Sequence, residues 1–184
     1  RCGTTGKTVN RSIPWDIIIP VIRKAAGKAP LPSVSEIASK NADPFRVLVS
    51  TMISLRTKDE VTAAASMRLF ERADTPEALA VLSTEDIARC IYPAGFYRTK
   101  AAHIKEASRI IRDTFGGLVP NSREDLLTLP GVGVKTANLT LNLGFGIEAV
   151  CVDTHVHRIA NRTGWVRTGR PEETEAALMK VLPR

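Results

Sequence analysis

Apolar residues recur along this chain at helical spacing, and the strict alternation that marks a half-buried strand is nearly absent. The expectation is an all-α protein. Asp43 followed by Pro44 suits a helix start, and Phe45, Leu48, Val49, Met52 and Ile53 then fall at i, i+3, i+4, i+7 and i+8 on one buried stripe. Thr75-Pro76 predicts another start. Ser83 with Asp86 and Asn121 with Glu124 resemble capping boxes, the second opening a short helix that runs to about Thr128. Ala101, Ile104, Ser108, Ile111 and Phe115 line a longer helix that stops at Gly116-Gly117. After residues 129–133 a helix is expected from near Val134 to Gly144, then a brief extended stretch over 149–152 that leads to Asp153. A further helix follows with Val156, Ile159 and Ala160 inward and Gly164 as its stop; Pro171, Thr174, Ala177, Leu178 and Val181 make the last. Neither an internal repeat nor a low-complexity linker is visible.

A chain of 184 residues that is 43% apolar can bury a real core. Its apolar run at 17–22 is broken by Pro20 and followed by Arg23 and Lys24, so neither a signal peptide nor a membrane-spanning helix is expected. The net charge of +7 and pI near 9.7 suit a polyanionic partner, although a basic soluble surface without that role has the same composition. Cys2, Cys90 and Cys151 lie far apart and form no C-x-x-C pair, which suggests neither a disulfide framework nor a metal site and fits a reducing, intracellular setting.

The candidate chemistry concentrates in the second half. Leu129, Pro130, Gly131, Val132 and Gly133 join two helices, and the two glycines let a partner approach main-chain amides at a helix N-terminus. Such amides can hold a phosphate without reading sequence; an ordinary tight turn between helices has the same pattern. Lys135 stands in the first turn of the following helix, where the dipole disfavours a cation and favours the neutral amine that a nucleophile needs. Asp153, 18 residues on and just before a helix, can stay ionised by accepting main-chain N–H groups, and it can equally be a plain N-cap.

LPGVGVKTAN at 129–138 and VDTHVHRIANR at 152–162 resemble the endonuclease III family of the helix-hairpin-helix DNA glycosylase superfamily, and the likeness extends through MISLRTKDEVT at 52–62 and YPAGFYRTKAAHI at 92–104 to cover roughly residues 40–182. The resemblance implies a six-helix barrel over 37–147, with the helix-hairpin-helix at about 122–143. Against it would pack a second helical domain formed by 1–36 and 148–184, with DNA bound across the cleft between them. It also implies a monomeric base excision repair enzyme, intracellular and working on DNA, that removes oxidised pyrimidines from duplexes and cleaves abasic sites. Lys135 would be the nucleophile that forms a Schiff base leading to β-elimination, and Asp153 would stabilise cationic sugar character. Leu129, Gly131, Val132 and Gly133 would hold DNA backbone, Phe96 would act as a wedge, Arg56 as a probe of the orphaned base, and His155 as a contact to phosphate or lesion.

Three departures and three rivals accompany that resemblance. The family often has glutamine where Arg56 stands and leucine where Phe96 stands, and Phe96 also suits a core position. Members commonly carry four C-terminal cysteines that bind a [4Fe-4S] cluster; this sequence reaches Arg184 without them, so either the natural protein continues into such a segment or this member has no cluster. No cofactor is therefore assigned within the chain. Mismatch and adenine glycosylases share the fold but usually lack a lysine where Lys135 stands. A non-enzymatic hairpin DNA-binding protein would need neither Lys135 nor Asp153, and a Schiff-base aldolase would need barrel strands.

Overall fold

The computed structural model describes residues 13–27, 31–40 and 43–183; Cys2 lies outside them. Every regular element among the described residues is a helix: α1 (Trp15–Ala26), α2 (Ser33–Lys40), α3 (Pro44–Ser54), α4 (Asp59–Arg72), α5 (Pro76–Val81), α6 (Thr84–Ile91), α7 (Tyr97–Thr114), α8 (Arg123–Leu127), α9 (Val134–Phe145), α10 (Thr154–Arg162) and α11 (Pro171–Val181). They fall into two compact units. Leu31–Asp153 forms one, and the described parts of Arg1–Pro30 and Thr154–Arg184 form the other. The larger unit thus starts before, and ends after, the 37–147 expected for it.

The larger unit is built around α3. The Asp43 carboxylate accepts the Phe45 amide at 2.9 Å with Pro44 in the first turn, and every residue from Val47 to Ile53 is buried. A helix enclosed on all sides in this way is the core of its unit. Helices α2, α4, α7 and α9 pack on it, while α5 and α6 lean on α7. The local start signals behave as their chemistry requires: the Thr75 hydroxyl accepts the Ala78 amide at 3.2 Å, and the Ser83 hydroxyl accepts that of Asp86 at 3.0 Å. Helix α7 buries Ala101, Ile104, Ser108 and Ile111 and stops where Gly116 and Gly117 take positive φ.

Several expectations need correction. Helix α8 starts from Ser122 rather than Asn121: the Ser122 hydroxyl accepts the Asp125 amide at 3.1 Å and donates to its carboxylate at 2.7 Å, a frame that turns Leu126 fully inward. Helix α9 runs through Gly144 and ends one residue later, with Gly146 in the left-handed conformation. On α10, Ile159 is half exposed and Ala160 carries the burial. Helix α4, which no apolar stripe announces, buries Thr62, Ala65, Ser66 and Leu69, mostly small or polar side chains. Pro20 sits inside α1.

The smaller unit contains α1, α10 and α11. The Trp15 and Trp165 rings meet at 5.0 Å between centroids, and a polar cluster joins His157 Nδ1 to the Thr174 hydroxyl at 2.6 Å. No helix among the described residues is long and apolar enough to cross a membrane. Charge divides unevenly. Segments 1–30 and 154–184 hold 12 of the 26 basic residues but only four of the 19 acidic ones, so the chain's positive excess lies there and 31–153 is close to neutral.

Gly144 explains how closely α9 approaches α3, since a Cβ at that position would lie 2.9 Å from the Pro44 Cα. Alanine gains about 1 kcal/mol over glycine in a helix interior, whereas overpacking against backbone typically costs ~1–3 kcal/mol. Gly144→Ala is therefore expected to destabilise by about 1 kcal/mol, read as a lower urea midpoint with unchanged slope. A raised midpoint would mean that α3 and α9 separate freely.

Candidate active site and nucleic-acid interface

Two buried side chains hold the hairpin between α8 and α9 in place. Leu129 and Val132 sink into the core, and the Val132 amide donates to the Leu129 carbonyl at 3.1 Å. What these two can offer a ligand is therefore main chain only. Gly131 and Gly133 are exposed. Gly131 has φ 77°, and a Cβ there would meet His103 Nδ1 at 2.7 Å, so both conformation and space call for glycine. Gly133 is the N-cap of α9 and no side chain caps it, which leaves the first amides of a 12-residue helix facing outward beside exposed Lys135.

Lys135 lines an open cleft with Ser54, Leu55, Arg56, Phe96 and Lys100. The structure thus brings the expected nucleophile and both expected DNA probes to one place. Phe96 is 65% exposed, which removes the core-aromatic reading. Arg56 and Phe96 both have left-handed backbone, φ 52° and 57°, and the Arg56 guanidinium lies 5.8 Å from the centroid of the Phe96 ring, a cation–π arrangement.

Asp153 does not line that cleft, but the segment leading to it is tied to the same helix. Asn138 Nδ2 donates to the Val150 carbonyl at 3.1 Å, and the Cys151 thiol donates to the Lys135 carbonyl at 3.5 Å. Asp153 follows two residues later, partly buried. His155 belongs to the smaller unit, where its Nδ1 lies 3.4 Å from Arg158 Nη2.

Sequence reasoning missed Lys100, Thr57 and Gly95. Lys100 is only 8% exposed, and its ammonium donates to the carbonyls of Ile53 at 2.6 Å and Leu55 at 2.5 Å and to the Thr57 hydroxyl at 2.9 Å. That hydroxyl also accepts the Gly95 amide at 3.1 Å. Burial pushes the Lys100 amine down to about 8. The available signal was its register: Lys100 stands one turn before Ile104 on the inward face of α7, where a charged residue is out of place.

The residues present do not suit an iron-sulfur cluster. Three cysteines cannot supply four ligands, and among the described residues no group of three or more His, Cys, Asp or Glu side chains could hold a metal.

The family model described as HhH-GPD superfamily base excision DNA repair protein matches residues 49–184. Endonuclease III of Thermotoga maritima is 57% identical over 144 residues, covering 78% of this chain and 68% of the relative. Among solved structures, a non-covalent endonuclease III–DNA complex matches with TM-score 0.79 at 32% identity, over 91% of this chain and 76% of that one. A trapped endonuclease III–DNA covalent intermediate matches with TM-score 0.74 at 31% identity, over 93% and 79%. The chain spans between about half and two thirds of the length of the curated relatives named endonuclease III or endonuclease III-like protein 1 in Thermotoga maritima and Gallus gallus. With its all-helical fold, its glycine hairpin and a family match over most of its length, the chain belongs to the HhH-GPD superfamily of base excision DNA repair proteins, on its endonuclease III branch.

Proposed function

We propose that this chain carries the catalytic machinery of a bifunctional DNA glycosylase and abasic-site lyase that removes oxidised pyrimidines from duplex DNA. The observation that carries this reading is the meeting of exposed Lys135, Arg56 and Phe96 in one cleft at the start of the hairpin helix. The trapped covalent intermediate of a relative with this fold supports a covalent route.

A base within a duplex cannot present its sugar carbon to a lysine, so the nucleotide is extruded at a cost of a few kcal/mol. Phe96 fills the gap and Arg56 meets the orphaned base, where a guanidinium can make two bonds to a guanine edge. The Lys135 amine attacks C1′, forming a C–N bond as the glycosidic bond breaks, and the base departs with a proton. Asp153 stabilises cationic character on the sugar and assists that proton transfer. Ring opening leaves a Schiff base. Loss of a C2′ proton then expels the 3′ phosphate by β-elimination, and water releases the lysine. The amides of Gly131, Gly133 and the first turn of α9 hold backbone phosphate near the reacting sugar, with Leu129 and Val132 as their buried anchors, and His155 contacts a phosphate or the lesion. The working form is a monomer located with DNA, and any [4Fe-4S] cluster takes its ligands from sequence outside these 184 residues.

Borohydride fixes a lysine Schiff base irreversibly, which separates a lyase from a mere binder. The unsubstituted protein should cross-link to abasic DNA, and Lys135→Ala should abolish trapping while keeping much of the affinity. Asp153→Asn should slow base release by ~10²-fold or more, because it retains a capping oxygen but loses the charge. Trapping by Lys135→Ala at the original rate would show that another amine does the chemistry.

The hairpin glycines give a separate test. Gly133 has φ −102° and open space around it, so Gly133→Ala should leave the melting temperature unchanged yet weaken DNA binding by placing a methyl where phosphate approaches. Gly131→Ala should lower both, since left-handed backbone costs an L-residue about 1–2 kcal/mol. Unaltered DNA affinity of Gly133→Ala would remove the hairpin from the interface.

A further inference from the structure

Burying an ammonium is unfavourable unless its surroundings compensate for the lost water. Lys100 is buried against neutral oxygens, and among the residues lining its cleft the charged ones are Arg56 and Lys135, both cationic. Capping the end of α3 needs neither a full charge nor a long stem, because a left-handed residue and main-chain amides commonly do it. The contacts of Lys100 reach further than a cap. Its ammonium grips the carbonyl of Leu55 and the hydroxyl of Thr57, the two sequence neighbours of Arg56. Its own amide donates to the Phe96 carbonyl at 3.0 Å. Through Thr57 it also reaches the Gly95 amide, and Gly95 lies so close to the Arg56 carbonyl that a Cβ there would stand 2.5 Å from it.

We propose that Lys100 is a positioning residue for opposite-base recognition: one side chain holds the turn that carries Arg56 and ties it to the turn that carries Phe96, so that the two probes enter the duplex as a preassembled pair. This rests on the glycosylase and lyase reading above. Both probes occupy left-handed backbone, which is strained for a non-glycine residue and persists only where the surroundings enforce it. Without the ammonium, the Leu55 and Thr57 oxygens lose their shared donor. Arg56 then relaxes toward negative φ and leaves the face of Phe96.

Lys100→Met keeps most of the length of the side chain and removes its ammonium donors. Its base release should be measured on duplexes carrying one oxidised pyrimidine opposite each of the four bases, and its borohydride trapping on a single strand with a preformed abasic site, where no base is extruded and no partner base is read. Base release from duplexes should fall by between about 10- and 100-fold, with the ranking of opposite bases flattened to that of Arg56→Ala, while single-strand trapping stays near the original rate. Equal losses on both substrates, or an unaltered ranking, would overturn the proposal and leave Lys135 chemistry standing. Should Lys100→Met fail to fold, Thr57→Val removes the hydroxyl that links the Lys100 ammonium to the Gly95 amide, leaves the ammonium on the Ile53 and Leu55 carbonyls, and should show the same split in smaller measure; its absence there overturns the proposal as well. Failure of the unsubstituted protein to trap at all would overturn the lyase reading itself, and the positioning role with it.

Discussion

A helix enclosed along its whole length must bring its last carbonyls to a donor, because water does not reach them. Helix α3 is enclosed from Val47 to Ile53, and the donor to the Ile53 carbonyl is an ammonium that arrives from α7, 47 residues away in sequence. That single requirement shapes the elements around it. The turn after α3 closes around the Lys100 ammonium, Arg56 is turned outward between two held neighbours, and α7 begins where Lys100 can reach. The same burial that makes α3 the centre of the unit therefore dictates where the cleft opens and which side chains line it.

Lys135, the proposed nucleophile, is placed by a different arrangement of the same core. Leu129 and Val132 anchor the hairpin from below, while the two glycines, with no side chain to bury, remain at the surface. Lys135 is exposed while the next residues along α9, Thr136, Ala137 and Asn138, are buried. Asn138 spends its amide on the Val150 carbonyl, which keeps the segment before Asp153 against the helix that bears Lys135. One side-chain amide and one thiol thus tie residues 150 and 151 to the helix that bears Lys135.

The parts of this architecture that depend on near neighbours were legible in the sequence. The Asp43-Pro44 start, the apolar stripe of α3, the Thr75 and Ser83 caps and the glycine stop of α7 each involve residues within a turn or two, and the structure agrees with each. Where two local frames competed, as at Asn121 and Ser122, the choice fell to the burial of Leu126, which no capping pattern encodes. Helix α4 was silent because, beside Leu69, its buried face is made of Thr62, Ala65 and Ser66, whose burial depends on close neighbours rather than on their own apolarity. Lys135, Arg56 and Phe96 were legible through motif resemblance, and their convergence is a product of the fold. Lys100 was not legible, since a lysine reads as solvated until the carbonyls that surround it are seen.

Gly144 places α9 so near α3 that a single methyl would collide with the Pro44 backbone. Two helices interlocked at that distance slide poorly, which fixes Lys135 on one of them relative to the Arg56 turn that ends the other. Under the proposed lyase reaction, an amine on so stiff a mount leaves the motion that brings it and the sugar together to the nucleic acid, whose ease of kinking at a damaged step then becomes part of what is selected.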